Sequence, residues 1–240
     1  MIQEEILPSK RVKKSKTGLI ISIPLVVLIA VLLALIIFLS LFSLVRVDGP
    51  SMLPTLTHNQ YVLLRNRAAV QNGDIFVFDG TIKNSAGQDV DGRIIKRAIG
   101  VGGDKIVFAR ASNLYVFAYI YIDGRFVLID EDSYLTSDTR APQSMGVFEN
   151  GIVSKLLPIG TVLEYICASE VDSEYIALVP QGHILALGDN RLNSTDSRNA
   201  AVMFVCVSTV VGSVTSVLQQ GSFNERFLVF IMGGACRRNR

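Results

Sequence analysis

Three short stretches of the chain gather residues able to do covalent chemistry. The first is Gly49-Pro50-Ser51-Met52-Leu53-Pro54-Thr55-Leu56. A serine between two prolines rides on a stiffened backbone, as a nucleophile must if its hydroxyl is to meet a carbonyl at a fixed angle; a capped turn would draw on the same residues. Leu53 and Pro54 rule out the G-x-S-x-G elbow and the S-x-x-K box respectively. The second stretch runs from Arg93 to Asp104, with Lys96 inside an apolar, strand-like run. At period two, Ile94, Lys96 and Ala98 share one face and Ile95, Arg97 and Ile99 the other, so both faces mix charge with hydrocarbon. A lysine walled by hydrocarbon loses the hydration of its ammonium form, its pKa falls, and it becomes a base near neutrality. An edge-strand lysine with its head in water is the ordinary alternative. Lys105 stands where a dinucleotide fingerprint starting at Gly100 would need its third glycine.

The third stretch runs from Gly182 through Gly188-Asp189-Asn190-Arg191 to Arg198 and crowds hydrogen-bonding side chains behind an apolar strand. Asp196 and Arg198 can pair, and Ser194 or Ser197 can orient a nearby base. The sequon Asn193-Ser194-Thr195 falls inside this cluster and is discounted. His58 and His183, the two histidines, have no neighbouring His or Cys to complete a zinc site, and neither metal nor cofactor is expected.

Composition indicates what must hold these stretches in place. Half of the 240 residues are hydrophobic and 18% are charged, which excludes general disorder. With 23 basic against 21 acidic residues the chain lacks the basic excess of a nucleic-acid binder, and no nucleic acid is expected as a partner. Residues 19–45 carry no charge over 27 positions, about 40 Å as a helix against a bilayer core of about 30 Å, and read as one transmembrane helix. A cleaved signal peptide would have a shorter apolar region ending in small residues; this run leaves through Leu44-Val45-Arg46-Val47-Asp48. Lys10, Arg11, Lys13, Lys14 and Lys16 precede it and only Arg46 follows closely, which places the N-terminus in the cytoplasm and residues 47 onward outside.

From 47 to 225, short apolar runs punctuated by Gly, Asp and Asn predict a mostly β domain. Strands are expected at 75–78, at 115–122 with an Asp123-Gly124 hairpin turn before 126–129, at 184–187 and over 205–217. Residues 130–150 read as a polar loop or insertion. Cys167, Cys206 and Cys236 have no metal spacing; apolar neighbours make Cys167 and Cys206 buried small hydrophobes in preference to a bridge. The apolar run 227–236, followed by Arg237, Arg238 and Arg240, is too short to span a bilayer and is either a final strand or core segment, or an interfacial segment drawn to anionic lipid.

Taken in order, the three stretches resemble the bacterial type I signal peptidases. Ser51-Met52-x-Pro54-Thr55 is similar to that family's nucleophile box, Gly73-Asp74-Ile75-Phe76-Val77-Phe78 to its following strand, Lys96-Arg97-Ala98-Ile99-Gly100 with Gly103-Asp104 to its base box, and Gly188-Asp189-Asn190-Arg191 through Ser194, Asp196, Ser197 and Arg198 to its last box. The resemblance implies Ser51 as nucleophile and Lys96 as general base, Ser194 hydrogen-bonded to the Lys96 amine, Asp189, Asp196 and Arg198 as scaffolding, and Met52 on the substrate floor beside the nucleophile. It also implies signal-peptide-bearing precursors as substrates, cut after a small residue with another small residue two positions earlier, and a mostly β catalytic domain with an inserted smaller β region within 105–181. Gly49 stands where some members place a hydroxyl oxyanion donor, and Gly102 where a Pro is common.

The organisation expected is a basic cytoplasmic tail (1–17), a transmembrane helix (18–45), an extracytoplasmic catalytic domain (46–225) and a C-terminal apolar segment with a basic tail (226–240), with precursors and the lipid bilayer as partners. Two other readings use the same residues. One is a Ser/His/Asp hydrolase built on His183 or His58 with Asp189; the other is a membrane-anchored β domain without activity.

Overall fold

The computed structural model describes residues 16–83, 89–111, 115–140, 171–172, 175–199 and 202–232. The chain divides into two units, residues 1–41 and 42–240. The first holds helix α1 (Lys16–Leu41), apolar all round, in which residues from Ile23 to Leu41 are long and apolar enough to cross a membrane.

The apolar run outlasts the helix. Residues 42–45, expected at its end, belong instead to strand β1 (Phe42–Arg46), paired in register Phe42↔Arg65 to Arg46↔Tyr61 with β2 (Tyr61–Asn66). Leu44 is buried in the folded unit. Apolarity alone does not tell lipid from protein core; a neighbouring strand that satisfies the backbone of this segment decides it.

Numbered in chain order, the remaining strands are β3 (Ile75–Lys83), β4 (Asp89–Val101), β5 (Lys105–Ala111), β6 (Tyr115–Ile122), β7 (Arg125–Leu128), β8 (Ile176–Leu178), β9 (His183–Leu187), β10 (Val205–Cys206) and β11 (Val210–Val217). They form a seven-stranded antiparallel sheet in the order β1-β2-β11-β3-β4-β9-β10 and a four-stranded antiparallel sheet β7-β6-β5-β8. The small sheet lies in sequence between β4 and β9, so it is the inserted β region expected within 105–181. Its β6–β7 hairpin closes through Asp123 and Gly124, both at positive φ (49° and 89°), the conformation an Asp-Gly turn favours.

The segment 205–217 is not one strand. Cys206 is followed by a 3-10 turn, Val207–Thr209, because β10 closes the far edge of the sheet on β9 while β11 must enter between β2 and β3. Cys206 is consequently only partly buried, against the buried position expected for it; Cys167 and Cys236 lie outside the described residues. Residues 227–232 are helical and not a strand: they belong to α2 (Phe223–Met232), of which Met232 is buried, and the helix is capped by Ser222 Oγ accepting from Glu225 N–H at 3.1 Å, with the Glu225 carboxylate accepting from Gly221 N–H.

Three apolar clusters position the site. Val47, Met52, Leu56, Val62, Leu64, Val77 and Ile95 fasten the segment after β1 to the large sheet. Phe76, Phe78, Ile94, Ala98 and Ile184 pack on the other face, and Ile99, Ile106, Phe108, Leu185 and Leu187 join the two sheets. Ile94 and Ala98 thus share a face apart from Ile95, as period two predicts, while a bulge between Ala98 and Gly100 delivers Ile99 to the third cluster.

Candidate active site

Ser51 sits on the turn between β1 and β2. Leu53 N–H donates to Pro50 O at 3.1 Å and Leu56 N–H to Met52 O at 2.9 Å, which curls residues 50–56 tightly. The turn is entered through Gly49 at φ +88°, a left-handed conformation that disfavours any side chain and gives a physical reason for the missing hydroxyl residue there. Met52 has no exposed surface; where a place on the substrate floor was expected, the side chain plugs the turn into the core beneath it. From the other side Asn190 clamps the turn, its N–H donating to Ser51 O at 3.0 Å and its Nδ2 to Pro50 O at 3.2 Å.

Lys96 comes to the hydroxyl from β4, which lies between β3 and β9 in mid-sheet and not at an edge. Its Nζ is 2.9 Å from Ser51 Oγ and donates to the Ile95 carbonyl at 2.9 Å, and the residue is 3% exposed. Burial pushes its pKa down from 10.5 to about 8; Asp196 and Asp189 pull it back and Arg198 pushes with burial, so the net direction is desolvation's. At pH 7 about one molecule in ten then carries a neutral amine, against about one in 3,000 for a free lysine.

The last box wraps this pair. Asp196 receives Gly188 N–H at 2.9 Å and the Arg198 guanidinium at 2.7 and 2.8 Å. Burial raises its pKa, but those bonds and the Arg198 charge outweigh it and hold the carboxyl below its usual range. Asp189 is tied in two-point fashion to Arg97, at 2.8 and 2.6 Å, and accepts from Thr55 Oγ1 at 2.5 Å, joining the nucleophile turn, β4 and the last box. Ser197 spends its hydroxyl accepting from Ala186 N–H at 2.9 Å. Ser194 does not hydrogen-bond Lys96, as was expected of it. Its hydroxyl lies beside Asp196 and over Gly188, buried without a hydrogen bond of normal geometry. A Cβ at Gly188 would run into Ser194 and come within 2.6 Å of Ser51 O, so only glycine fits under the nucleophile.

Neither histidine reaches this hydroxyl. His58 Nδ1 accepts from Gly49 N–H at 3.2 Å, and His183 Nδ1 is 3.1 Å from Gln181 O.

Several contributors were invisible in the sequence. Arg97 was placed on a face but given no partner. Glu131, Tyr134 and Arg140 lie in the segment read as a polar loop, yet Glu131 and Arg140 are buried. Glu131 pairs with Arg191, whose Nε donates to Gly188 O at 3.0 Å and whose N–H donates to Thr139 O at 2.8 Å. Tyr134 donates to Glu131 at 3.2 Å and carries the Arg97 guanidinium over its ring at 3.9 Å. Burial, then the Glu131 charge, raises the Tyr134 pKa and keeps the phenol neutral. An Arg in a box otherwise committed to a buried site was the one available signal that an acid had to come from elsewhere.

Residues 20–219 match the family described as signal peptidase, peptidase S26. The chain is 30% identical to signal peptidase I T of Bacillus subtilis over 94% of its own length and 97% of the relative's, and 30% identical to signal peptidase I of Bacillus licheniformis over 72% and 75%. A crystal structure of a signal peptidase I from Enterococcus faecalis aligns with 62% of this chain and 98% of that one at 24% identity and a TM-score of 0.34. With a match over most of its length and a relative covered almost end to end, the chain belongs to the S26 family of signal peptidases.

Proposed function

We propose that this membrane-anchored serine peptidase removes signal peptides from exported precursor proteins, with Ser51 as nucleophile and Lys96 as general base. The observation that carries the assignment is the 2.9 Å approach of a buried lysine amine to the Ser51 hydroxyl. In the first step the neutral amine takes the Ser51 proton as Oγ attacks the carbonyl carbon of the small residue that ends the signal peptide. The ammonium so formed returns that proton to the leaving amine of the mature chain. Lys96, neutral again, then takes a proton from a water that attacks the acyl-serine ester, and the ammonium returns it to Ser51 Oγ as the ester bond breaks, which restores both residues and releases the signal peptide as a carboxylic acid that ionises in water. Asp189, Asp196 and Arg198 act through the backbone they hold, Met52 by seating the turn, and Ser194 by packing against Gly188.

The anchor supports this reading, because a precursor whose apolar segment is in the bilayer and an enzyme tethered to the same bilayer meet at high effective concentration, so recognition of two small side chains suffices. The basic residues before the anchor support an N-terminus in the cytoplasm and a catalytic domain outside. Cleavage of a precursor carrying a small-x-small site by the full chain, by Ser51→Ala and by Lys96→Arg tests the assignment. Both variants lose turnover; a Lys96→Arg enzyme that still cleaves would rule out the lysine base, since guanidinium cannot deprotonate.

A further inference from the structure

The chain reaches Ser51 through Val47-Asp48-Gly49-Pro50, and the two sides of the nucleophile are held unequally. On its far side Leu53 and Leu56 close the turn, and Asn190 grips both Pro50 O and Ser51 O. On its near side the pairing that continues β1 and β2 runs out. Val47 N–H donates to Gln60 O at 2.8 Å and Asn59 N–H to Val47 O at 2.9 Å, and among the described residues no backbone bond reaches Asp48 or Gly49. A side chain supplies the next link: His58 Nδ1 accepts from Gly49 N–H at 3.2 Å. Gly49 is the residue with the most backbone freedom to lose, held here at φ +88°, and Pro50 after it has no N–H to be held by. Among the described residues the imidazole is therefore the one group that ties down a backbone N–H between Val47 and Ser51.

The same ring nitrogen has a second neighbour. Asp48 Oδ1 also lies 3.2 Å from His58 Nδ1. The Gly49 amide needs a lone pair on that nitrogen and the Asp48 carboxylate needs a proton on it, so the two cannot be satisfied together. A neutral ring protonated on Nε2 holds Gly49. A ring protonated on both nitrogens donates from Nδ1 to Asp48 and leaves the Gly49 amide without its acceptor. Histidine is the side chain whose charge changes between pH 5 and 8, and with the ring 56% and Asp48 86% exposed the surrounding medium supplies or removes the proton directly. Among the described residues Asp48 is the charged group in ion-pair reach of this ring. From the segment after β11 comes Gln220, which is neutral and whose Nε2 lies 3.4 Å from the His58 carbonyl.

We propose that His58 is a positioning residue for the nucleophile: its neutral ring tethers Gly49 and fixes the approach to Ser51, and protonation from the external medium hands the ring to Asp48 and loosens that approach. His58 touches no reacting atom and acts through two residues of backbone, as an acid-side brake added to the requirement for a neutral Lys96. The proposal rests on the reading above, with Ser51 as nucleophile and the catalytic domain outside.

The test uses the full chain in detergent micelles and a peptide with a small-x-small site, with kcat/KM measured from pH 5.5 to 8.5 for wild type, His58→Asn and His58→Phe. The Asn carboxamide oxygen stands as far along the side chain as Nδ1, accepts from Gly49 N–H and does not titrate; Phe accepts nothing. The contributions of Lys96 and His183 are common to all three and cancel in ratios. At pH 8.5 His58→Asn equals wild type and His58→Phe is about fivefold slower, the worth of one such hydrogen bond. Towards pH 5.5 wild type falls about fivefold below His58→Asn and meets His58→Phe. A ratio of wild type to His58→Asn that does not change with pH overturns the proposal, and so does a His58→Phe enzyme as fast as His58→Asn at pH 8.5. The amide resonance of Gly49 in protein labelled with 15N-glycine gives a readout independent of turnover and of the Phe variant's folding. It moves between pH 8 and 5 in wild type and stays still in His58→Asn; equal movement in both overturns the tether. Ser51→Ala separates the two levels of the argument: if it still cleaves the peptide, the peptidase reading falls and the proposal with it, whereas a silent Ser51→Ala beside a pH-independent ratio overturns the proposal alone.

Discussion

Lys96 and Arg191 are two buried cations in adjoining parts of one site, and their surroundings give them opposite characters. Arg191 is 5% exposed and paired with Glu131; burial alone would lower its pKa, but the Glu131 carboxylate, helped by Tyr134, raises it and fixes the charge permanently. Lys96 is just as buried, yet its amine touches a hydroxyl and a carbonyl and no carboxylate, and desolvation brings it down to about 8. The first arrangement makes a lock between the segment 131–140 and the last box; the second makes a proton acceptor. Burial supplies the tension in both, and the presence or absence of a carboxylate in direct contact decides what it is used for.

The largest effect that follows is on turnover. Lys96→Arg converts the acceptor into a permanent cation and should lower kcat/KM by about 10,000-fold or more while circular dichroism stays native. In the wild type, kcat/KM should rise with pH along a limb centred near 8, because the base works only when neutral and its value in the fold is about 8. A limb near 6.5 that persisted in Lys96→Arg would assign the base to a histidine and end the comparison.

Next in size is the lock. Glu131→Gln leaves Arg191 buried and charged without its counter-ion, which costs about 3–5 kcal/mol and should lower Tm by about 10 °C. Calorimetry at pH 7 measures it. A variant with normal Tm but no activity would mean that Arg191 belongs to the chemistry and not to the frame.

The same logic run backwards predicts that Lys96 harms stability. The shift from 10.5 to about 8 means that holding the ammonium form in the fold costs roughly 3 kcal/mol, in full below pH 8 and vanishing as pH rises towards 10.5. Lys96→Met removes that cost and loses about 1 kcal/mol by leaving the Ile95 carbonyl unpaired, so the dead enzyme should be about 2 kcal/mol more stable at pH 7. Urea denaturation of both proteins at pH 7 and pH 10 checks it, since the advantage must shrink at the higher pH. A gain that is the same at both would trace to packing, not to charge.

The smallest effect is at Ser194. Its hydroxyl makes no hydrogen bond of normal geometry, so Ser194→Ala should change stability by less than about 0.5 kcal/mol and slow turnover by about tenfold at most. A 1,000-fold loss in a stopped-flow single-turnover assay would show that substrate turns this hydroxyl onto Lys96.

How much of this was readable beforehand depended on distance along the chain. Strands β3, β6 and β9 and the Asp123-Gly124 turn followed from period and turn chemistry, which act over a few residues. The end of α1 did not, because residues 42–45 are as apolar as the helix and only pairing with β2 turns them into a strand. The split of 205–217 was hidden for the same reason: both halves have strand composition, and their separation comes from two different neighbours. At the site, Ser51, Lys96, Asp189, Asp196 and Arg198 stood out as polar groups in settings that a plain β fold would not need. Glu131 did not, because an acidic residue in a polar segment is ordinary until Arg191 is brought against it from 60 positions away.

The sequence by itself determined the local terms: a charge-free run long enough to enter a bilayer, strands that alternate, a serine on a stiff turn, a lysine among isoleucines, and a family resemblance carried by short blocks. Tertiary structure alone decided the terms that depend on contact. It set the 2.9 Å between Lys96 Nζ and Ser51 Oγ, the absence of a carboxylate against that amine, the pairing of Asp189 with Arg97 and Glu131 with Arg191, and the seat of His58 Nδ1 on the Gly49 amide. The physical reason is that desolvation and Coulomb energies depend on distances between groups far apart in the chain, and a sequence specifies residue types without specifying those distances.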